Sequence, residues 1–215
     1  VEAVSRCRPI RRTGKRKNRG RVFMCCQYYF DDETMEDIRN IVSGISLETG
    51  FRMGNIRPSD MAVVITGRRP GLYAERMRWG FPSEFSKQLL INARSETAME
   101  KKLFAESTLR RRCVIAARHF YEWDSGKNKV TFTVKDRPFV YMAGIYNRFG
   151  DGDHFIVLTT AAAGEMLPVH DRMPLILERD EITDWIRDNE KTAAILKASG
   201  PELKRHQEYE QLSLF

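Results

Sequence analysis

The chain has 215 residues, of which 42% are hydrophobic and 30% are charged, and its formal net charge is +7. This length suits one domain, and the longest apolar runs are too short for a transmembrane helix, which excludes that class of membrane protein. The four cysteines are Cys7, Cys25, Cys26 and Cys113. They form no CxxC and no Cys/His spacing typical of zinc sites, so we expect a cytoplasmic protein without a metal or other cofactor.

The first residues differ in charge from the rest of the chain. Residues 1 to 23 carry nine lysines or arginines and one acidic residue, without an apolar period, which predicts disorder. Subtracting these from 36 basic and 29 acidic residues leaves 27 and 28, so the basicity belongs to this leader. The chain begins with valine, and we interpret residues 1–24 as an over-extended gene start. A remnant of expression, a propeptide, a transit peptide and a genuine basic arm are the alternatives.

Three helices are predicted in the domain that follows, which we place at residues 25–200. Apolar residues at helical spacing predict the first over 33–47, after the N-cap candidates Asp31 and Asp32. The second is predicted around 96–109. The third begins at Asp180, and its apolar positions are Ile182, Trp185 and Ile186.

Strand patterns dominate between these helices. Residues 130–134 alternate apolar and threonine side chains, and a turn at 135–138 predicts a hairpin with 139–145. Residues 155–160 read as a buried strand, and Cys113 lies in another, where we expect an inert thiol. Strands without helices between them favour antiparallel pairing. The predicted fold class is α+β, with a mostly antiparallel curved sheet or open barrel flanked by helices.

The pair Met24-Cys25 carries a specific chemistry. Translation from Met24 followed by removal of that methionine would make Cys25 the N-terminal residue. Its amine can condense with an aldehyde, and its thiolate can then close a five-membered thiazolidine ring. Cys26 cannot perform this reaction, because only the residue after Met24 gains a free amine.

Five short motifs follow this pair. They are Arg57-Pro58-Ser59-Asp60, Arg78-Trp79-Gly80-Phe81, Ile91-Asn92-Ala93-Arg94-Ser95-Glu96-Thr97, Phe120-Tyr121-Glu122-Trp123 and Val169-His170-Asp171-Arg172-Met173-Pro174. Together with Met24-Cys25 and in this order, they resemble the SOS response-associated peptidase (SRAP) family of abasic site processing proteins. The resemblance runs from Met24 to about Trp185.

The resemblance implies a role for each matching residue. An abasic site is partly a ring-opened aldehyde, which Cys25 would capture while Asn92 holds the cysteine backbone and the opened sugar by hydrogen bonds. Glu122 and His170 would move protons. For DNA, the implied contacts are a phosphate held by Arg94, a base against Trp79 and a wedge at Pro58.

Each residue taken alone has a structural alternative. Asn92 would cap a turn, Arg94 would pair with Glu96 on the surface, Glu122 would face solvent and His170 would be a structural histidine. We expect the remaining histidines, His119, His154 and His206, to be structural or exposed.

The chain also departs from the family pattern. Cys26 replaces the usual glycine and Gln27 a common arginine, while Arg118-His119 replaces the usual small residue, commonly glycine, before the Phe-Tyr-Glu-Trp run. Single-strand binding normally uses a basic groove, and this domain is nearly neutral. We therefore expect its 27 basic residues, including Arg78, Arg94, Arg110 to Arg112 and Arg172, to be distributed unevenly, with some along one face.

The tail at 201–215 ends in Gln211-Leu212-Ser213-Leu214-Phe215. This pentapeptide resembles the bacterial sliding-clamp-binding motif, in which Gln211 makes polar contacts and Leu212, Leu214 and Phe215 fill an apolar groove. The alternative is a tail that folds back on its own core.

The resulting hypothesis is a monomeric, nucleoid-associated protein of the DNA damage (SOS) response. It binds single-stranded DNA at an abasic site and crosslinks to it through Cys25, with autoproteolytic cleavage before Cys25 and a lyase side activity. Two other classes stay open. One is a cysteine peptidase that uses Cys25 and His170 in trans, and the other is a non-catalytic module that binds DNA or the clamp.

Overall fold

The computed structural model describes residues 26–46, 51–83 and 86–207. In these ranges the helices are α1 (Asp32–Ile41), α2 (Lys102–Arg110), α3 (Glu181–Arg187) and α4 (Asn189–Ile195), with 3₁₀ turns at Ser95–Thr97 and Gly164–Met166. The strands are β1 (Gln27–Phe30), β2 (Gly44–Ser46), β3 (Gly54–Ile56), β4 (Met61–Gly67), β5 (Leu72–Trp79), β6 (Phe81–Ser83), β7 (Ser86–Leu90), β8 (Asn92–Arg94), β9 (Arg112–Ala117), β10 (His119–Trp123), β11 (Lys129–Val134), β12 (Val140–Phe149), β13 (Gly152–Ala161), β14 (Arg172–Pro174), β15 (Ile176–Leu177) and β16 (Leu203–Gln207).

Five strands close into a barrel in the order β4-β9-β12-β13-β5, and a parallel pairing of β5 with β13 completes the ring. The barrel strands are rich in apolar and β-branched residues. Val64, Ile115 and Ile156 are fully buried and belong to the core of the barrel. Antiparallel pairs predominate, while β2-β5 and β8-β13 are parallel. The predicted α+β class is therefore confirmed, and the predicted barrel is closed, which leaves its five strands without a free edge.

A second, five-stranded sheet has the order β16-β11-β10-β1-β3. One of its faces buries Tyr28, Phe120 and Phe132. Tyr28 contacts Trp79 of the barrel with ring centroids 5.3 Å apart. Side chains alternate between the two faces along β1, β10 and β11, and these three rings lie on the face that packs against the core.

The predicted hairpin of residues 130–134 with 139–145 is wrong. Strand β11 pairs with β10 and β16 in the second sheet, whereas β12 pairs with β9, β13 and β15 in the barrel. The turn between them carries the chain from one sheet to the other. Alternation predicts that a segment is a strand but not which strand it pairs with.

The first predicted helix begins where expected and ends early. The Asp31 side chain accepts hydrogen bonds from the Thr34 amide at 2.8 Å and the Thr34 hydroxyl at 2.6 Å, which confirms Asp31 as N-cap. Helix α1 ends at Ile41 instead of continuing to 47, because residues 44–46 pair with β5 as β2.

The other two predicted helices are present in modified form. Residues 96–109 divide into the 3₁₀ turn at Ser95–Thr97 and α2, with residues 98–101 between them. Helix α3 follows Asp180 as predicted, although the Asp180 side chain forms no cap hydrogen bond.

Several sequence predictions concern residues outside the described ranges. These are the leader with Met24-Cys25, and the clamp-like Gln211 to Phe215. In the described part of the chain, no helix has the length and apolar character needed to cross a membrane.

Candidate active site

Glu122 lies near the end of β10 with only 2% of its surface exposed. Strand β10 pairs with β1, and Gln27 is the partner of Tyr121. Continuing this register by one residue brings Cys26 level with Glu122. Cys26 is itself 5% exposed, and it is one peptide bond from Cys25. The solvent-facing alternative for Glu122 is therefore wrong, since this carboxyl group is buried beside the beginning of β1.

Asn92 and Arg94 lie on β8, which pairs in parallel with β13. Asn92 therefore belongs to a strand instead of capping a turn. The Trp79 ring nitrogen donates to the Ile91 carbonyl at 3.2 Å, immediately before Asn92, and so ties β8 to the barrel. Arg94 is exposed and forms no ion pair within the described ranges. An exposed guanidinium of this kind can meet an anion.

His170 follows the 3₁₀ turn at 164–166. Its Nδ1 lies 3.0 Å from the Arg172 amide, which donates to it, and 2.9 Å from an Asp171 carboxylate oxygen. One nitrogen cannot both accept from the amide and donate to the carboxylate. Burial lowers the pKa of His170 and so favours the neutral ring, while the nearby Asp171 carboxylate has a smaller, opposite effect. With Nδ1 accepting, the proton resides on Nε2.

Arg172 joins the His170 segment to the end of β8. Its guanidinium donates to both carboxylate oxygens of Glu96, at 2.5 and 2.7 Å, and to the Thr159 carbonyl at 2.5 Å. This hydrogen-bonded arginine lowers the pKa of Glu96. Thr159 is the β13 register partner of Arg94. Glu96 therefore forms its ion pair with Arg172. The structural alternative, in which Arg94 pairs with Glu96, is wrong.

Trp79 has no exposed surface and packs between Tyr28 and Phe155, with ring centroids 5.3 and 6.0 Å away. A ring without accessible surface cannot stack on a DNA base, so the predicted base contact of Trp79 is wrong. Its actual role is to join the second sheet, the barrel and β8.

Pro58 lies half-buried in the turn at residues 57–60. Ser59 in this turn has a φ of 76°, and its amide donates to the Trp79 carbonyl at 2.8 Å. Arg78 donates to the Ser59 carbonyl at 3.0 Å. These contacts fix the turn at the end of β5, and the wedge role of Pro58 stays a prediction.

The arginines named in the prediction of an uneven basic distribution have different surroundings. Arg112 is 4% exposed and donates to main-chain carbonyls, so it is not one of those on an exposed basic face. Arg111 pairs with Glu106 at 2.9 Å, and Arg78 lies 3.7 Å from Asp151. Arg94 and Arg110 are exposed without an ion pair to any described residue.

The expectations for the other histidines and Cys113 are confirmed. His154 is buried, and its ring nitrogens lie 2.6 Å from the Gly80 carbonyl and 2.9 Å from Asp151. His206 is exposed, and His119 is half-buried. Cys113 is fully buried, which raises the pKa of its thiol and makes it a poor nucleophile.

The site is therefore built on contacts between distant segments. Tyr28 of β1 contacts Trp79, Trp79 holds the backbone at Ile91, and β13 connects β8 to Arg172. The Glu96-Arg172 pair was missed by sequence reasoning, although both residues lie in the quoted motifs. Within the described ranges, no cluster of three or more histidine, cysteine or acidic residues is arranged to hold a metal.

The site histidine predicts a pH dependence of stability. Burial is the main cause that lowers the pKa of both His119 and His170 below the ordinary value near 6.5. Below about pH 6.5 the unfolded chain therefore binds protons more readily than the folded one, so stability falls as the solution is acidified. Above that pH both states are neutral, and these groups have no effect. Urea unfolding measures the free energy of unfolding at pH 7.5 and at pH 5.5. We expect this free energy to fall more between the two pH values for wild type than for the His119→Gln/His170→Gln variant. An equal loss would contradict this assignment.

Comparison with known proteins identifies the family of the chain. The family model described as SOS response associated peptidase (SRAP) matches residues 24–213. The chain is 30% identical over 156 residues to the abasic site processing protein YedK of Escherichia coli (strain K12), covering 68% of this chain and 70% of that protein. It is 30% identical over 146 residues to the abasic site processing protein YoaM of Bacillus subtilis (strain 168), covering 61% of this chain and 64% of that protein.

Solved structures share the fold. A crystal structure of a protein from Bordetella bronchiseptica, at 26% identity, has a TM-score of 0.71 and matches 86% of this chain and 100% of that one. A protein from Bacteroides thetaiotaomicron, at 20% identity, has the same TM-score with 86% and 93% coverage. The chain belongs to the SOS response associated peptidase (SRAP) family.

Proposed function

We propose that the protein processes abasic sites in single-stranded DNA and captures the opened sugar as a thiazolidine through Cys25. The observation that carries the proposal is the position of the buried Glu122, which is level with Cys26 at the beginning of β1. Cys26 is joined by one peptide bond to Cys25, the residue that follows Met24. The names of the relatives, abasic site processing proteins, support the choice of substrate.

The proposed reaction needs proton transfers but no cofactor. The Cys25 amine attacks the sugar aldehyde carbon, and loss of one water gives an imine. The Cys25 sulfur then adds to the same carbon while its proton passes to nitrogen, which closes the ring. Glu122 supplies a carboxyl group for these transfers, and the Nε2–H of neutral His170 supplies a second donor.

The same chemistry accounts for a lyase side activity. If the imine persists before the sulfur closes the ring, it acidifies the neighbouring carbon of the sugar. Loss of that proton expels the 3′ phosphate and cleaves the strand. Ring closure competes with this elimination, so the balance depends on how fast the Cys25 thiolate reaches the imine.

A leader attached to Cys25 blocks the reaction, because an amide nitrogen cannot form the imine. Either removal of an initiating Met24 or autocleavage of the bond between Met24 and Cys25 exposes the amine. The test compares the chain that starts at Met24 with the full chain, each incubated with a single-stranded oligonucleotide with or without one abasic site. We expect a denaturing-gel adduct only with the lesion and only from protein whose intact mass shows Cys25 at the N-terminus. The absence of an adduct from such protein contradicts the proposal.

Arg94 supplies the proposed phosphate contact. Its exposed guanidinium at the end of β8 has no ion pair among the described residues. Arg94→Gln should weaken binding of abasic DNA several-fold and reduce the slope of log affinity against log salt by about 0.7, the value for one phosphate in a single strand. Fluorescence anisotropy over a salt series measures both quantities. Lys197→Gln, at an exposed position after α4, is the matched control and should change neither. An unchanged slope for Arg94→Gln would exclude a phosphate contact.

A further inference from the structure

His170 has two competing partners at one ring nitrogen. The Arg172 amide nitrogen lies 3.0 Å from Nδ1, and a carboxylate oxygen of Asp171 lies 2.9 Å from the same atom. A neutral imidazole carries one proton, so Nδ1 either accepts from the amide or donates to the carboxylate. The first choice leaves Nε2–H as a hydrogen-bond donor, whereas the second leaves Nε2 as an acceptor. The partner of Nδ1 therefore decides what His170 offers to a substrate.

The two partners are held differently. The Asp171 side chain is 87% exposed, so its carboxylate is solvated and its pairing with His170 is weak. The Arg172 amide belongs to the first residue of β14, a strand of three residues in which Arg172 is the register partner of Ala161. The ends of short elements open most readily. Main-chain pairing with β13 therefore leaves this amide at an end of the strand that opens easily.

The Arg172 side chain adds a second attachment. Its guanidinium donates to both carboxylate oxygens of Glu96, at 2.5 and 2.7 Å, and to the Thr159 carbonyl at 2.5 Å. Two hydrogen bonds between one arginine and one carboxylate fix direction as well as distance. The Arg172 side chain is 16% exposed, which shields these bonds from much of the solvent. Glu96 lies in the 3₁₀ turn directly after β8, so the contact fastens the His170 segment to that strand.

We propose that Glu96 is a positioning residue that anchors Arg172, so that the Arg172 amide keeps Nδ1 of His170 as an acceptor and Nε2–H as a donor. Glu96 acts through Arg172 and does not itself meet the substrate. The inference deepens the proposed function and rests on it for the use of Nε2–H. When the Cys25 amine attacks the sugar aldehyde, the aldehyde oxygen gains negative charge, and a fixed donor aimed at that oxygen stabilises the transition state.

A purely structural pair is the competing interpretation. In that case Glu96 and Arg172 would only hold β8 to β14, and their loss would lower stability without moving the proton on His170. Under the positioning role, loss of Glu96 loosens the Arg172 amide, and the Asp171 carboxylate then favours the Nδ1–H form. The position of the ring proton therefore distinguishes the two interpretations.

The test locates the ring proton by long-range ¹H–¹⁵N NMR of the full chain without DNA. Spectra are recorded at about pH 8, where the ring is neutral because the ordinary histidine pKa is about 6.5 and burial lowers the pKa of His170. His170→Gln identifies the signals among the four histidines. In wild type we expect Nε2–H to exceed Nδ1–H about tenfold, the ratio that about one net hydrogen bond sustains. Glu96→Ala should lower this ratio about fivefold, and Glu96→Gln, which keeps one acceptor oxygen, about twofold.

Two further variants make the result specific. Glu165→Ala is the matched control, because Glu165 is an exposed carboxylate shortly before His170 in the chain and pairs with Arg205 at 3.5 Å. It should leave the ratio unchanged. Glu96→Ala combined with Asp171→Ala should restore the excess of Nε2–H, because the competing acceptor is gone.

The His154 ring is buried, and unchanged His154 signals show that a variant is folded. In a folded Glu96→Ala protein, an unchanged ratio overturns the inference, as does an equal fall in Glu165→Ala or a ratio that Asp171→Ala does not restore. If Glu96→Ala does not fold, Glu96→Gln carries the test, and an unchanged ratio there has the same meaning. These spectra contain no DNA. A fall in the ratio together with no adduct on abasic DNA would therefore sustain the positioning role and reject only the proposed chemistry.

Discussion

Cys25→Ala, in a chain that begins at Met24, is expected to abolish the gel-stable adduct with abasic single-stranded DNA. Alanine keeps the N-terminal amine and can still form an imine with the sugar aldehyde. It lacks the sulfur that closes the ring, so the imine hydrolyses and no stable product accumulates. We expect at least a hundredfold lower yield on a denaturing gel, equivalent to about 2.7 kcal/mol or more.

Two controls make this result specific. Cys26→Ala should keep the adduct, because Cys26 has a peptide nitrogen instead of a free amine and is buried. Adding borohydride to the Cys25→Ala reaction should restore a crosslink, since reduction of the imine fixes the bond between nitrogen and carbon. A stable adduct from Cys25→Ala without reductant, or its loss in a folded Cys26→Ala protein, would contradict Cys25 as the nucleophile.

Arg112→Met is expected to lower the free energy of unfolding by about 2–3 kcal/mol, since a hydrogen bond to a charged group contributes about 1.5–3 kcal/mol and a buried acceptor left without a donor costs about 1–3 kcal/mol. The Arg112 guanidinium donates to the Thr108 carbonyl at 3.0 Å, to Leu109 at 2.8 Å and to Ile186 at 3.3 Å, and it also donates to the Trp185 carbonyl. These carbonyls belong to the last turns of α2 and α3. One cation thus satisfies the C-terminal ends of two helices, and methionine leaves them buried without donors.

Chemical unfolding by urea or guanidinium measures this loss. Arg110→Met is the matched control, because Arg110 is exposed and has no ion pair among the described residues, and it should change stability by less than about 0.5 kcal/mol. Arg112→Lys should recover only part of the stability, since an ammonium reaches fewer carbonyls than a guanidinium. Equal stability of the Arg112→Met and Arg110→Met proteins would show that the carbonyls find other donors.

Local patterns predicted the elements of the fold better than their pairing. The N-cap at Asp31 and the buried strand around Phe155 depend on neighbouring residues, and both were predicted correctly. Strand β11 pairs with β10 and with β16, and β16 lies about seventy residues further along the chain. Nothing in the alternation of residues 130–134 encodes that distant strand.

The candidate site divides in the same way. Glu122 and His170 are candidates because they lie in motifs whose order along the chain matches the family. Their roles in proton transfer stay predictions, which their burial supports. Trp79 was misassigned because its burial comes from Tyr28 and Phe155, which are 51 and 76 positions away. The Glu96-Arg172 pair also joins residues 76 positions apart. Contacts of this kind require the fold.

Strand β1 lies inside the second sheet, between β10 and β3, and this position has a consequence for the order of events during synthesis. Gln27 pairs with Tyr121, 94 positions later in the chain. At about 5–20 residues per second, the ribosome needs about 5–20 s to make that partner after Gln27. If translation begins at Met24, the processing enzymes of the nascent chain meet a free, unpaired end during this interval. Under the proposed function, the amine of Cys25 is then exposed before Glu122 has been synthesised, so the reacting end of the chain is made before the site residues that act on it.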